Sequence, residues 1–141
     1  MAEILDPKSL ADQASRVYQE GDFESAARLY GEAASAFKTA GNELDAAEMK
    51  NNQSVAFLQA GNAQASYEAA AGTPDVFAAA GDVRRQAIAF ANEATALQTL
   101  GRRDQAIAQY RLSAEAFHRA GEDQLRFTVM QAIAGMQLKR G

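Results

Sequence analysis

The chain carries one histidine, His118, and neither cysteine nor tryptophan. A lone imidazole between Phe117 and Arg119 has no serine, carboxylate or second ligand spaced to build a catalytic triad or a metal centre. The absence of thiols excludes disulfide frameworks, thiolate metal sites and cysteine nucleophiles. Arg84-Arg85 and Arg102-Arg103 have the chemistry to capture phosphate or carboxylate. They fall, however, at opposite ends of one expected helix, roughly 27 Å apart, with Asp82 and Asp104 beside them to neutralise each pair locally. Glu43 and Glu48 are spaced for a solvated helix face. The glycines stand singly rather than in a phosphate-binding loop. The chain is therefore expected to be no enzyme and to need no cofactor or metal.

The elements that must position these residues are announced by alanine and glycine. Among 141 residues there are 33 alanines and two prolines, a balance that favours helix. Glycine recurs every twentieth residue at Gly21, Gly41, Gly61, Gly81, Gly101, Gly121 and Gly141. Four of these are followed by Asp22, Asn42, Asn62 and Asp82. A glycine in the left-handed conformation closes one helix, and the next Asp or Asn accepts from free N–H groups of the following one. Asp6-Pro7 is expected to open the first helix in the same way. The spacing predicts seven helices, over about 7–20, 22–40, 42–60, 62–80, 82–100, 102–120 and 122–139. Loops of one or two residues make consecutive helices antiparallel. Within 62–80, Gly72-Thr73-Pro74 should stop the helix near Ala71 and restart it with Thr73 as cap and Pro74 at the first helical position.

The true period is 40. Phe37, Phe77 and Phe117 recur at that step, as do Ala40, Ala80 and Ala120, and Tyr30 matches Tyr110. In the alternate helices Ala14, Ser54, Ala94 and Ala134 are all small, while Val17, Phe57 and Leu97 are all apolar. Small residues facing large ones allow close packing, and the alanines at both registers are expected where helices approach. Each repeat is an A helix, a tight turn and a B helix. The repeats run 2–41, 42–81 and 82–121, and a lone A-type helix follows over 122–139, all in a single domain spanning 1–141.

Gly21-Asp22-Phe23-x-x-Ala26-x-x-x-Tyr30-x-x-Ala33, preceded by Ala14 and Tyr18, resembles a tetratricopeptide repeat, and Gly101, Ala106 and Tyr110 repeat the pattern. The 40-residue length is similar to the long-helix variants of vesicle-fusion attachment proteins and kinesin light chains. The middle repeat departs from the pattern, with Ala63, Ser66 and Ala70 where Phe23, Ala26 and Tyr30 stand in the first. The resemblance implies an all-α, right-handed superhelical solenoid whose A helices line a concave groove. It also implies non-catalytic binding of a peptide or protein partner. Register places Ser15, Tyr18, Asn51, Asn52, Val55, Leu58, Thr95, Gln98 and Gln131 on the groove, with Leu138 at the same register as Tyr18, Leu58 and Gln98. Such a face is neutral and amide-rich, suited to the backbone of an extended peptide. Some members grip the C-terminal carboxylate of chaperones with Lys, Asn and Arg. Here only Asn52 matches, with Ala11, Ser15, Ile88 and Asn92 at the other positions, so that mode is not expected.

The last helix offers a second reading. Leu125, Val129, Ala132, Ile133 and Met136 form one apolar stripe, and Phe127, Met130, Ala134 and Leu138 form another on a different side. A helix apolar on two sides expects neighbours on both. Either the protein continues past Gly141 or Phe127, Met130 and Leu138 drive self-association, as in a homodimer. No segment resembles a signal peptide or approaches the ~18 apolar residues of a membrane span. With no cysteine, a cytoplasmic location is expected and membrane insertion is not. The net charge of −4 argues against nucleic acid as a partner. The charge is uneven, −7 over residues 1–81 and +3 over 82–141, which could steer an acidic partner to the second half.

Overall fold

The structure, a computed structural model, describes residues 6–139. The expectation about a continuation past Gly141 lies outside the described residues. All regular structure among them is helical: α1 (Pro7–Gln19), α2 (Phe23–Thr39), α3 (Glu43–Gln59), α4 (Ala63–Ala70), α5 (Thr73–Ala79), α6 (Val83–Thr99), α7 (Arg103–Arg119) and α8 (Asp123–Leu138). These are the seven predicted helices with one of them split. They are one or two residues shorter at their ends because the cap residues stand outside the helical segments.

One turn, repeated, sets the architecture. Gly21 sits at φ 86°, where a side chain would be strained. Its N–H donates to the Tyr18 carbonyl at 2.9 Å and the Asp22 N–H to the Val17 carbonyl at 3.0 Å, the paired bonds of a Schellman motif. The Asp22 carboxylate then accepts from the Ser25 N–H at 3.2 Å and caps α2. The Ser25 side chain and N–H hold that carboxyl below its ordinary range. A single residue thus both completes one helix end and opens the next helix. Asn42, Asn62 and Asp82 repeat the cap on Asp45, Ala65 and Arg85. Arg102 and Glu122 occupy the same position without capping through their side chains. Asp6 also leaves its helix uncapped by its side chain, with Pro7 pre-setting the first turn instead.

The break in the fourth predicted helix falls one residue earlier than expected. Gly72, at φ 85°, is the cap residue, Thr73 is the first helical residue and Pro74 the second. The Thr73 hydroxyl donates backward to the Ala70 carbonyl at 2.7 Å and satisfies an acceptor left by the end of α4. Glycine takes the cap because only it enters the left-handed region without strain.

The chain forms two compact units, Met1–Ala69 and Ala70–Gly141. In the first, α1 packs on α2 and α2 on α3. Their core combines alanines (Ala14, Ala26 and Ala33 at 0% exposure) with Leu10, Leu29, Tyr30, Phe37 and Met49. Alanine at the seam lets helix backbones approach while larger residues fill the flanks. Buried Ser54 and Ser66 link α3 to α4 by a 3.0 Å hydroxyl contact. In the second, α5 packs on α6, α6 on α7 and α7 on α8. Ala87, Ala94, Ala106 and Ala116 are fully buried, with Phe77, Leu97, Phe117 and Ile133 around them.

Not every repeated alanine is a contact. Ala40 and Ala80 are exposed and Ala120 is half-buried. As C-cap residues they lie past the last helical turn, beyond the seam. Ala134 is exposed as well, unlike its register mates Ala14, Ser54 and Ala94.

Candidate functional site

The A-type helices are α1, α3, α6 and α8, and the residues expected on their groove faces fall into four groups. Asn51 is buried, 7% exposed, and its amide donates to the Ala47 carbonyl one turn back, so it offers nothing to a ligand. Asn52, Val55 and Leu58 on α3 are half-buried. Gln131 and Leu138 on α8 are exposed.

Ser15, Tyr18, Thr95 and Gln98 belong to the fourth group, which the helices themselves use. Burial makes the Tyr30 phenol hold its proton more tightly than usual, an effect that the Ser15 hydroxyl opposes. The Tyr18 ring packs edge-on against Phe23, with centroids 5.1 Å apart. In the second unit the Tyr110 hydroxyl lies 2.9 Å from the Thr95 hydroxyl and donates to Gln98 Oε1 at 3.2 Å, while Thr95 Oγ1 also reaches the Ala91 carbonyl at 2.9 Å. Two hydroxyl protons serve three contacts. The middle repeat has Ala70 in place of the tyrosine and Val55 in place of Ser15 or Thr95, so both partners are lost together. That pattern predicts a test. Tyr110→Phe is expected to destabilise by about 1 kcal/mol in urea unfolding. Adding Thr95→Val should cost little more, because with the phenol gone the Thr95 hydroxyl keeps only its bond to the Ala91 carbonyl one turn back. Additive losses would show that the two hydroxyls act independently.

On α8, Val129, Ile133 and Met136 are buried, whereas Phe127 is 63%, Met130 46% and Leu138 82% exposed. The two apolar stripes therefore differ: one packs, with α7 the helix in contact, and the other faces outward. Between α7 and α8 lies a groove of about 510 Å³. Its apolar floor includes Ala114, Met130, Ile133 and Ala134, and Arg111 and Arg126 line it too. The sequence reading missed both arginines, because a groove between two helices is not written in the periodicity of either one.

The arginine pairs divide. Arg85 pairs locally with Asp82 at 3.5 Å, but Arg84 reaches across to Glu122 at 3.0 Å, tying α6 to the start of α8. Arg103 has two buried guanidinium nitrogens, Nε and Nη2, without a hydrogen-bond partner, and it lines a smaller cavity of about 290 Å³ with Gln98, Met136 and Lys139. Glu93 was also unforeseen. It is 6% exposed and accepts from Gln109 Nε2 at 3.4 Å. Burial pushes its carboxyl up to about 7, the Gln109 bond opposes the rise and the charge of Asp75 adds to it.

Among the described residues no three His, Cys, Asp or Glu side chains gather to hold a metal ion, and no helix is long and apolar enough to cross a membrane. Compared with known proteins, the chain matches no family model, and no curated protein is significantly similar to it in sequence.

Proposed function

We propose that this chain is a non-catalytic, cytoplasmic interaction module of the tetratricopeptide-like class that binds a peptide or protein partner along the outward faces of its A-type helices. The reading implies a right-handed superhelical arrangement of the hairpins. The observation that carries it is on α8, where Leu138 stands 82% exposed two turns along from exposed Gln131, on the side that register assigns to the partner. A large apolar side chain held in water on the same helix side as an amide suits a contact with another protein. On α3, half-buried Asn52, Val55 and Leu58 supply the same combination.

The test is selection of peptide binders from a displayed random library against the purified chain, followed by titration of variants. Leu58→Glu and Leu138→Glu should each weaken selected peptides by about tenfold or more. Binders indifferent to both changes would overturn the A-face assignment. A second reading, self-association through α8, is favoured by the exposure of Phe127 and Met130. Sedimentation at micromolar concentration decides it: a monomer over that range removes it, and a dimer that Phe127→Ser dissolves establishes it.

A further inference from the structure

The 40-residue register shows what the α7–α8 groove lacks. In α1 the seam positions Leu10 and Ala14 are 5% and 0% exposed, buried in one core with Ala26 and Ala27 of the following helix. In α6 the seam positions Ala94 and Leu97 are 0% and 3% exposed, and α7 packs on that helix. The counterparts on α8 are Met130 and Ala134, which repeat Leu10 and Ala14, and Gln137, which repeats Leu97. All three are exposed and all three line the α7–α8 groove. The groove is the place of a B-type helix that no described residue fills.

Charge selects the occupant. Two arginines, Arg111 and Arg126, line the groove against a single carboxylate, Glu115, and among the described residues neither arginine forms an ion pair. A second copy docking by the same patch would gather four arginines against two carboxylates, because a two-fold contact repeats the same residues on both sides and leaves the seam net positive. A helix with carboxylates beside its apolar stripe would instead neutralise both guanidiniums in a partly desolvated setting, where such pairs are strongest. We propose that the groove between α7 and α8 docks an acidic amphipathic helix of a partner protein. Small residues of that helix would approach Ala114 and Ala134, and its carboxylates would meet Arg111 and Arg126. The proposal rests on the interaction-module reading but uses a different face from the A-helix contact.

The chain's own α2 covers the equivalent seam of α1, so it is the natural probe. A fluorescent peptide of residues 22–40 carrying Arg28→Glu and Lys38→Glu has only acidic charges. A basic counterpart carries Glu24→Lys and Glu32→Lys instead, and a scrambled acidic peptide serves as control. Anisotropy titrations with the intact chain should show the acidic probe binding about tenfold or more tightly than the other two, and less tightly as salt is raised. Arg111→Glu with Arg126→Glu should reverse the preference toward the basic probe, and Met130→Glu should weaken both. Circular dichroism of each variant verifies that it is folded, which the surface position of these side chains favours. Equal binding of all three peptides, no binding by any, or indifference to the charge reversal overturns the proposal. So does a dimer that Met130→Glu dissolves and the acidic probe fails to displace, since the occupant is then a second copy. Leu58→Glu separates the two readings. If it abolishes binding of library-selected peptides while the acidic probe never binds, the module reading stands and the helix-docking inference falls.

Discussion

Truncating Phe77 to alanine is expected to cost about 3–5 kcal/mol of stability, a large share of the total for a chain of this size. Phe77 is 2% exposed and belongs to α5, which has only seven residues. A helix that short does not hold itself in water, where isolated helices below ~12–15 residues are marginal. Its position depends on the anchors it buries against α6, namely Thr73, Pro74 and above all the Phe77 ring. The break at Gly72 denies α5 the support of a continuous helix, so a cavity at Phe77 meets little resistance to local detachment. Phe77→Leu, which keeps most of the volume, should lose far less. Urea unfolding followed by circular dichroism gives the magnitudes, and hydrogen exchange adds a local reading at the Asp82 N–H, which donates to the Phe77 carbonyl at 2.9 Å. A Phe77→Ala chain within about 1 kcal/mol of the parent would show that α5 is held by something other than this ring.

The same residues show why the helices were legible in the sequence and the candidate site was not. Helix ends are local events. Gly21 and Asp22 make their bonds to Val17, Tyr18 and Ser25, all within five residues, so spacing along the chain is enough to read them. The apolar stripe of Val129, Ile133 and Met136 is likewise a property of one helix and packs as its periodicity requires. The shift from Thr73 to Gly72 at the α5 cap was a competition between two local signals, a capping hydroxyl and a glycine. The need for a left-handed residue decided it.

Side-chain roles that depend on a second helix were not visible. Thr95 and Gln98 looked like free polar groups on a groove, yet Tyr110 engages both. Arg84 looked like a partner for its neighbour Asp82, yet it meets Glu122 from 38 residues away. Asn51 sits on a polar stretch, Lys50 to Gln53, and is nevertheless buried. One usable signal was overlooked. Positions 13, 53 and 93 hold Gln, Gln and Glu in register. The amide of Gln53 donates to the Ala27 carbonyl on the preceding helix. Each of the three precedes a small buried residue, Ala14, Ser54 or Ala94, and although Gln13 is exposed, Gln53 is half-buried and Glu93 is buried with a group that can be charged.

That burial leads to the second large effect, a stability that depends on pH through one carboxyl. Glu93 has an ordinary value of 4.5, and burial pushes it up to about 7 in the folded chain. Between those two values the folded state keeps a proton that the unfolded state has given up. Unfolding therefore releases a proton, and this group's effect is to lower stability as pH rises from about 4.5 toward 7, the loss being complete above the folded value. Residual solvation moderates the loss to about 1–2 kcal/mol. Glu93→Gln removes the charge while keeping an oxygen to accept from Gln109 Nε2. The glutamine variant should thus be the more stable protein at pH 8 by about that amount and should converge with the parent only below pH ~4.5, where both states hold the proton. Capped carboxylates such as Asp22, held low by the Ser25 side chain and N–H, act in the opposite direction and are unchanged between the two proteins. The difference between the two pH profiles, measured by urea unfolding at each pH, isolates Glu93. A gap of constant size across the range would assign the effect to packing, and a glutamine variant weaker at pH 8 would mean that the ionised carboxylate is stabilised where it lies.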